Sequence, residues 1–255
     1  MSSSRPWSGN WTSLAASLIL GLSIVAGTII TTGTIDYVKT FNTSLLTVTG
    51  TAKKVVTSDS VKWDSSFLVN TTSSALQTGY AQMGKDKSLV QSFLTGHGVP
   101  LADITFSPVS MQQNYVNCQF NPKACNQFGS TSYQLTENVR VESSHVHAIT
   151  ALAQATNPLI QSGVVFSTQD IKYYYSKLSG LRTSLLSAAT KDAQLRAESI
   201  TRSVGSQVGQ LVSVTTEPFQ VTPVDSTQVS GGGLYDTTTI TKKVTAIVEA
   251  TFRLP

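Results

Sequence analysis

AATKDAQLRAESITRSVGSQVGQLVSV, residues 188–214, is the stretch on which the reading of this chain turns. Ala189, Ala193 and Ala197 recur every four residues, and Leu181 and Leu185 upstream with Ile200 and Val204 downstream keep the helical spacing, predicting a helix from about Ser179 to Val204. Gly205 ends it, because glycine takes the left-handed backbone of a helix terminus without a Cβ penalty. Leu211, Val212 and Val214 then open a strand. An alanine face lets a helix backbone come close, so this helix is expected to pack tightly on a sheet.

Working outward, the flanking segments alternate. Leu46, Val48, Gly50, Ala52, Lys54 and Val56 share one parity, and Val61, Trp63, Ser65, Phe67 and Val69 repeat the pattern after Ser58-Asp59-Ser60, which reads as a β-hairpin. Ser73 or Ser74 caps a helix carrying Leu76, Tyr80, Met83, Lys87, Val90 and Leu94, ending at Gly96-His97-Gly98. Ile104, Phe106, Val109 and Met111 form a strand that Pro108 assigns to an edge or bulge, and Tyr133, Leu135, Val139 and Val141 form its partner. A helix with Val146, Ile149, Leu152 and Ala153 follows, broken at Asn157-Pro158, and Gly163 precedes a strand through Val165, Ile171, Tyr173 and Tyr175. Val224 to Thr239, with Gly231-Gly232-Gly233, reads as a flexible excursion before a closing strand from Val244 to Leu254. The fold class is α+β, mainly antiparallel sheet with amphipathic helices packed on one side, preceded by an N-terminal transmembrane helix.

The last expectation rests on the first residues. From Pro6 to Ile35 no side chain is charged, and Leu14 to Ile30 is dominated by Leu, Ile, Ala and Val. That apolar core covers on the order of 25 Å as a helix, a marginal span unless flanking Thr and Gly residues join it. It serves either as a retained signal-anchor, the reading its length favours, or as a cleaved secretion signal with Ala26 and Gly27 near the cut. The organisation expected is a tail over residues 1–12, the membrane segment over 13–35, a linker over 36–44 and one domain over 45–255. The partners expected are the membrane, through residues 13–35, and further copies of the chain, since long alternating strands leave sheet edges that need a partner or cover.

Charged residues are 13% of the chain and the net charge of +4 is thinly spread, with Lys53-Lys54 and Lys242-Lys243 as adjacent lysine pairs in strand-like segments. Nucleic-acid binding needs a concentrated basic face, so no nucleic-acid partner is expected.

Cys118 and Cys125 are the chain's two cysteines, in a short polar loop around Pro122. Export to an oxidising compartment favours a disulfide between them, worth about 2 kcal/mol for so short a loop; two free thiols are the alternative. A metal site at the pair lacks further ligands.

The 188–214 stretch resembles the SIMPL family, long catalogued as a domain of unknown function. There an Ala-rich helix with an A-x-x-D-A-x-x-[KR]-A-E pattern runs into two glycines and a strand. The matching residues are Ala189, Asp192, Ala193, Arg196, Ala197, Glu198, Gly205 and Gly209, followed by Leu211. Residues 46–61 resemble the family's opening strand, GVPLADITF its G-[IV]-x-x-x-D-I segment, and KVTAIVEATFRL its closing strand, so the resemblance covers roughly 45–254. The cysteine-bearing stretch from Asn114 to Tyr133 departs from the family's hairpin. The resemblance implies export to the periplasm or cell envelope of a bacterium, a link in some members with oxidative-stress protection, and no catalytic residues to carry over. An animal branch named for kinase signalling is disfavoured by the membrane segment.

Signatures of catalysis are missing: there is no G-x-S-x-G, G-x-x-x-x-G-K-[ST], H-E-x-x-H or dinucleotide fingerprint. His145 and His147, two apart, do not share a helix face, and with His97 they read as cap or surface residues. Tyr173-Tyr174-Tyr175 should fill a core on one side and cover a neighbour on the other. Asp192 and Arg196 have the spacing of an ordinary helix-surface pair. The expected protein is therefore no enzyme and has no cofactor and no metal. It is a membrane-anchored or exported envelope protein that oligomerises or binds partners. The alternative is a thiol-redox protein using Cys118 and Cys125.

Overall fold

Two thirteen-residue strands, Ser60–Thr72 and Thr131–Ser143, anchor the computed structural model, which describes residues 44–115, 119 and 131–255. In chain order the elements are β1 (Leu45–Thr57), β2 (Ser60–Thr72), α1 (Leu76–Gly96), β3 (Ile104–Phe106), β4 (Ser110–Tyr115), β5 (Thr131–Ser143), α2 (Val146–Gln154), α3 (Asn157–Gln161), β6 (Val165–Tyr174), α4 (Leu178–Ser203), β7 (Leu211–Thr216), β8 (Gln220–Pro223), β9 (Leu234–Tyr235) and β10 (Thr241–Arg253). This is an α+β fold with mostly antiparallel sheet. The membrane segment at 13–35, the tail and the linker lie outside the described residues, as do Cys118 and Cys125. Among the described residues no helix is long and apolar enough to cross a membrane.

The described strands form two five-stranded sheets, one ordered β1-β10-β8-β9 with β7 also on β10, the other β3-β5-β2-β6 with β4 also on β5. The described residues divide into two compact units, 44–50, 189–216 and 248–255 in one, and those of 51–188 with 217–247 in the other.

The larger unit is built on β2 and β5, which pair in register from Val61↔Ser143 to Thr72↔Ser132. Their inward residues Val61, Trp63, Phe67, Leu135, Val139 and Val141 are fully withdrawn from water, each contributing roughly 1.5–3 kcal/mol of burial. Met83, Val90 and Leu94 of α1 and Val146, Ile149 and Leu152 of α2 complete that core. Pro108 sits where expected: β3 and β4 pair with successive stretches of β5 and the chain breaks between them. The β4–β5 ladder runs up to Tyr115↔Thr131.

Several local readings are corrected. β1 and β2 are not a hairpin: β1 joins β10, while both flanks of β2 are taken by β5 and β6. A two-residue hairpin turn needs left-handed backbone, which among the described residues only Gly98, Gly163, Gly205 and Gly233 adopt. At the crossing, Ser58 N–H donates to Ile240 O (2.8 Å) and Asp59 N–H to Tyr174 O (3.0 Å). The Asp59 carboxylate accepts from Ser176 N–H (2.7 Å) and Oγ (2.8 Å), and although desolvation pushes its pKa up, these bonds bring it below the ordinary value.

In β6, Gln169 is an extra residue opposite the Asp64–Ser65 step. That bulge switches parity, so Phe166 rather than Val165 turns inward with Tyr173. The helix of Val146 does break ahead of Asn157-Pro158: α2 ends at Gln154, and α3 starts afresh at Asn157 with proline in its first turn. Neither Ser73 nor Ser74 caps α1, whose first turn follows a short 3₁₀ segment, and Tyr80 lies exposed while Gly79 and Asp86 are buried. The glycine-containing stretch before β10 is tied down: Gln220 Nε2 donates to Ser230 O (2.8 Å), and Ser230 N–H returns to Gln220 Oε1 (3.3 Å).

Candidate functional site

The signature helix is seated by small residues. Ala189, Ala193 and Ala197 are fully buried, and the last two form a core with Val48, Ala250 and Phe252. β1 passes under them at Gly50, where a Cβ would lie 2.1 Å from Ala189 O and 2.7 Å from Ala193 Cβ. Helix backbone therefore rests on strand backbone, and no side chain fits between. The row continues through Thr201, not Ile200 or Val204, which are exposed. Thr201 fits because its hydroxyl is absorbed by Ala197 O (3.0 Å) and Glu198 O (3.2 Å).

Gly205, at φ +72°, closes the helix with Ser206 N–H on Thr201 O (2.9 Å) and Gly205 N–H on Arg202 O (3.2 Å), the paired bonds of a Schellman terminus. Gly209 N–H donates to Arg253 O (2.7 Å), and a Cβ there would come within 2.5 Å of the same oxygen. Asp192 accepts from Arg196 Nε (2.8 Å), and Glu198 from Gln194 Nε2 (3.0 Å), both on the exposed side. Asp192, Arg196 and Glu198 line the helix surface, and the alanines and glycines of the pattern are packing devices.

A family model described as "Protein of unknown function (DUF541)", SIMPL, matches residues 46–252. The chain belongs to the SIMPL family. A comparison with curated proteins finds no match. In this SIMPL chain the pattern Ala189, Ala193, Ala197, Gly205 and Gly209 is thus explained by close backbone approach and helix termination.

The other residues singled out in the sequence fall as follows. His97 Nδ1–H donates to Phe93 O (2.7 Å) at the end of α1, and His145 Nδ1 lies 3.4 Å from Ser143 Oγ just before α2. These two, rather than His145 and His147, share a recess of about 140 Å³. Among the described residues no three His, Cys, Asp or Glu side chains are grouped to hold a metal. Tyr173 is buried with its hydroxyl 3.1 Å from Thr150 Oγ1, while Tyr174 on the opposite face meets the Tyr235 ring at 6.4 Å.

The outer face of the β2–β5–β6 sheet carries a groove of about 500 Å³ between Asp64, Asn138, Arg140 and Asp170. Its charges neutralise one another: Arg140 with Asp64 at 2.6 Å and Lys172 with Asp170 at 2.7 Å, beside Lys62 with Glu142 at 2.8 Å. The hydrogen bond to Asp64 raises the Arg140 pKa, and the one from Lys172 lowers that of Asp170. Asp64 and Arg140, like Lys62 and Glu142, stand directly opposite across β2 and β5, while Lys172 and Asp170 are neighbours on one face of β6, and such pairs stabilise a solvated sheet face.

Two ion pairs with a buried partner escaped the sequence reading. Glu137, inward on β5, accepts from Lys87 Nζ (2.6 Å), which also lies 4.7 Å over the Phe106 ring. Lys242, fully buried on β10, lies 3.3 Å from Asp236 and donates to Thr239 O. Desolvation pushes the Asp236 pKa up, but hydrogen bonds from the Thr239 hydroxyl and from Thr238, with the charge of Lys242, bring it down to about 2. Lys242 has its own pKa lowered by burial, against the pull of Asp236. The signal was available: Lys242 shares parity with Val244, Ala246, Val248 and Ala250, the apolar side of β10.

Proposed function

We propose that this SIMPL protein is a non-catalytic component of a bacterial cell envelope. The uncharged run over residues 13–35 anchors it in the inner membrane, or exports it if cleaved, and the folded part works in the periplasm by self-association. The observation that carries the reading is β7. All six of its residues are exposed, with Leu211, Val212 and Val214 at 47, 46 and 41%, and it hydrogen-bonds to β10 on one side. It holds no charge and no proline, the usual protections of an open edge. β1, at the other end of that sheet, carries Lys53 and Lys54, which do protect it. A second β7 laid antiparallel against the first gives a two-fold interface.

Light scattering on residues 44–255 tests the association. The mass should rise above the monomer with concentration, and Val212→Lys with Val214→Lys should abolish the rise. A strictly monomeric mass over a wide concentration range overturns it. Fractionation with and without detergent, with intact mass of the mature chain, tests the tether: a full-length product free in the cytosol sinks the envelope reading.

A further inference from the structure

We propose that the cleft between the β1–β10–β8 sheet face and the loop over residues 226–229 is a binding site for a small anionic polyol, a carboxylated sugar. The strands dictate the floor. On β10, Lys243, Thr245 and Ile247 face away from the apolar parity of Val244 and Ala246, and their partners on β8 place Thr222 beside Lys243 and Gln220 beside Thr245. Thr51 and Lys53 of β1 continue the lining.

The roof is fixed at both ends. Lys243 Nζ donates to Val224 O and Ser226 O, each at 2.7 Å, and Gln220 holds Ser230 by the pair of bonds already described. Between floor and roof lies about 310 Å³, space for roughly ten waters and at the lower end of small-molecule clefts.

Two features identify the occupant. Thr222 and Thr245 are only 4 and 9% exposed, both line the cleft, and among the described residues neither hydroxyl has a protein hydrogen-bond partner. Both hydroxyls open onto the polar cleft, where, without a protein partner, they are free to donate to and accept from a ligand. The lining also contains two ammonium groups and no carboxylate; Asp225 and Glu249, the nearest acids along the chain, do not line it. Lysines favour an anion, while hydroxyls and Gln228, which both donate and accept, match ligand hydroxyls better than a bare oxyanion does. This site is independent of self-association through β7.

Calorimetric titration of the full-length chain with glucuronate, glucose and inorganic phosphate tests it. Glucuronate should bind saturably, with glucose and phosphate each at least about tenfold weaker. K53Q, at an exposed position, and T245V, with folding checked by circular dichroism, should each weaken glucuronate about tenfold. Absence of saturable glucuronate binding overturns the proposal, as does equal affinity for phosphate, or wild-type affinity in both variants.

Discussion

Lys242 Nζ and Asp236 Oδ2 stand 3.3 Å apart with the lysine wholly removed from solvent, so the short connection between them is clamped to the inner side of the last strand. The two partners are not equivalent. Asp236 keeps hydrogen bonds from Thr238 and Thr239 when the lysine is lost, whereas Lys242 keeps only the Thr239 carbonyl when the aspartate is lost. Asp236→Ala should therefore cost about 3–5 kcal/mol, as for a buried charge left without its counter-ion. Lys242→Met should cost clearly less, and urea unfolding of the two variants measures the difference.

The same pair sets an acid limb of stability. Asp236 titrates near 2 in the folded chain against an ordinary 3.8, so folding is favoured above about pH 4 and that contribution disappears as pH falls toward 2. Asp59, also depressed, adds in the same direction. Asp236→Asn should flatten the dependence of the urea midpoint on pH between 4 and 2; an unchanged slope would contradict the assignment.

At the helix seat the expected effects have opposite signs for the same change. Gly50→Ala drives a methyl into Ala189 O and should destabilise by about 3 kcal/mol or more. Gly84→Ala, inside α1 with nothing within 4 Å of the new Cβ, should stabilise by roughly 0.5–1 kcal/mol. Thermal unfolding of both proteins is the check.

Lys87→Met leaves Glu137 buried without its ammonium partner and should cost about 3 kcal/mol, most of it the penalty on the stranded carboxylate. Adding Glu137→Leu should restore a large part of that loss. A double variant no more stable than the single one would show that the pair acts otherwise.

Alternation proved a good guide to faces and a poor one to neighbours. The inward sets of β2 and β5 were legible because apolar residues at every second position leave one buried side. Nothing in that pattern says which sheet a strand enters, so β1 and β2 looked like a hairpin. Gln169 hid in β6 because a bulge changes parity without changing composition. Thr201 was passed over for Ile200 because its polarity concealed how well a helix carbonyl absorbs a hydroxyl. The signature of α4 was readable as a pattern, but its meaning needed the partner at Gly50, more than a hundred residues away. Lys242 was counted with Lys243 as diffuse surface charge, although its parity marked it as inward.

The change of sheet at Ser58–Asp59 also bears on how the protein comes into being. β1 is made well before its neighbour β10, so it must wait through nearly two hundred residues of synthesis before its ladder can close. Until then its edge is bare. A helper that shields nascent strands would have its greatest effect here, and a chain stalled before Thr241 would present a sticky ribbon instead of a finished protein.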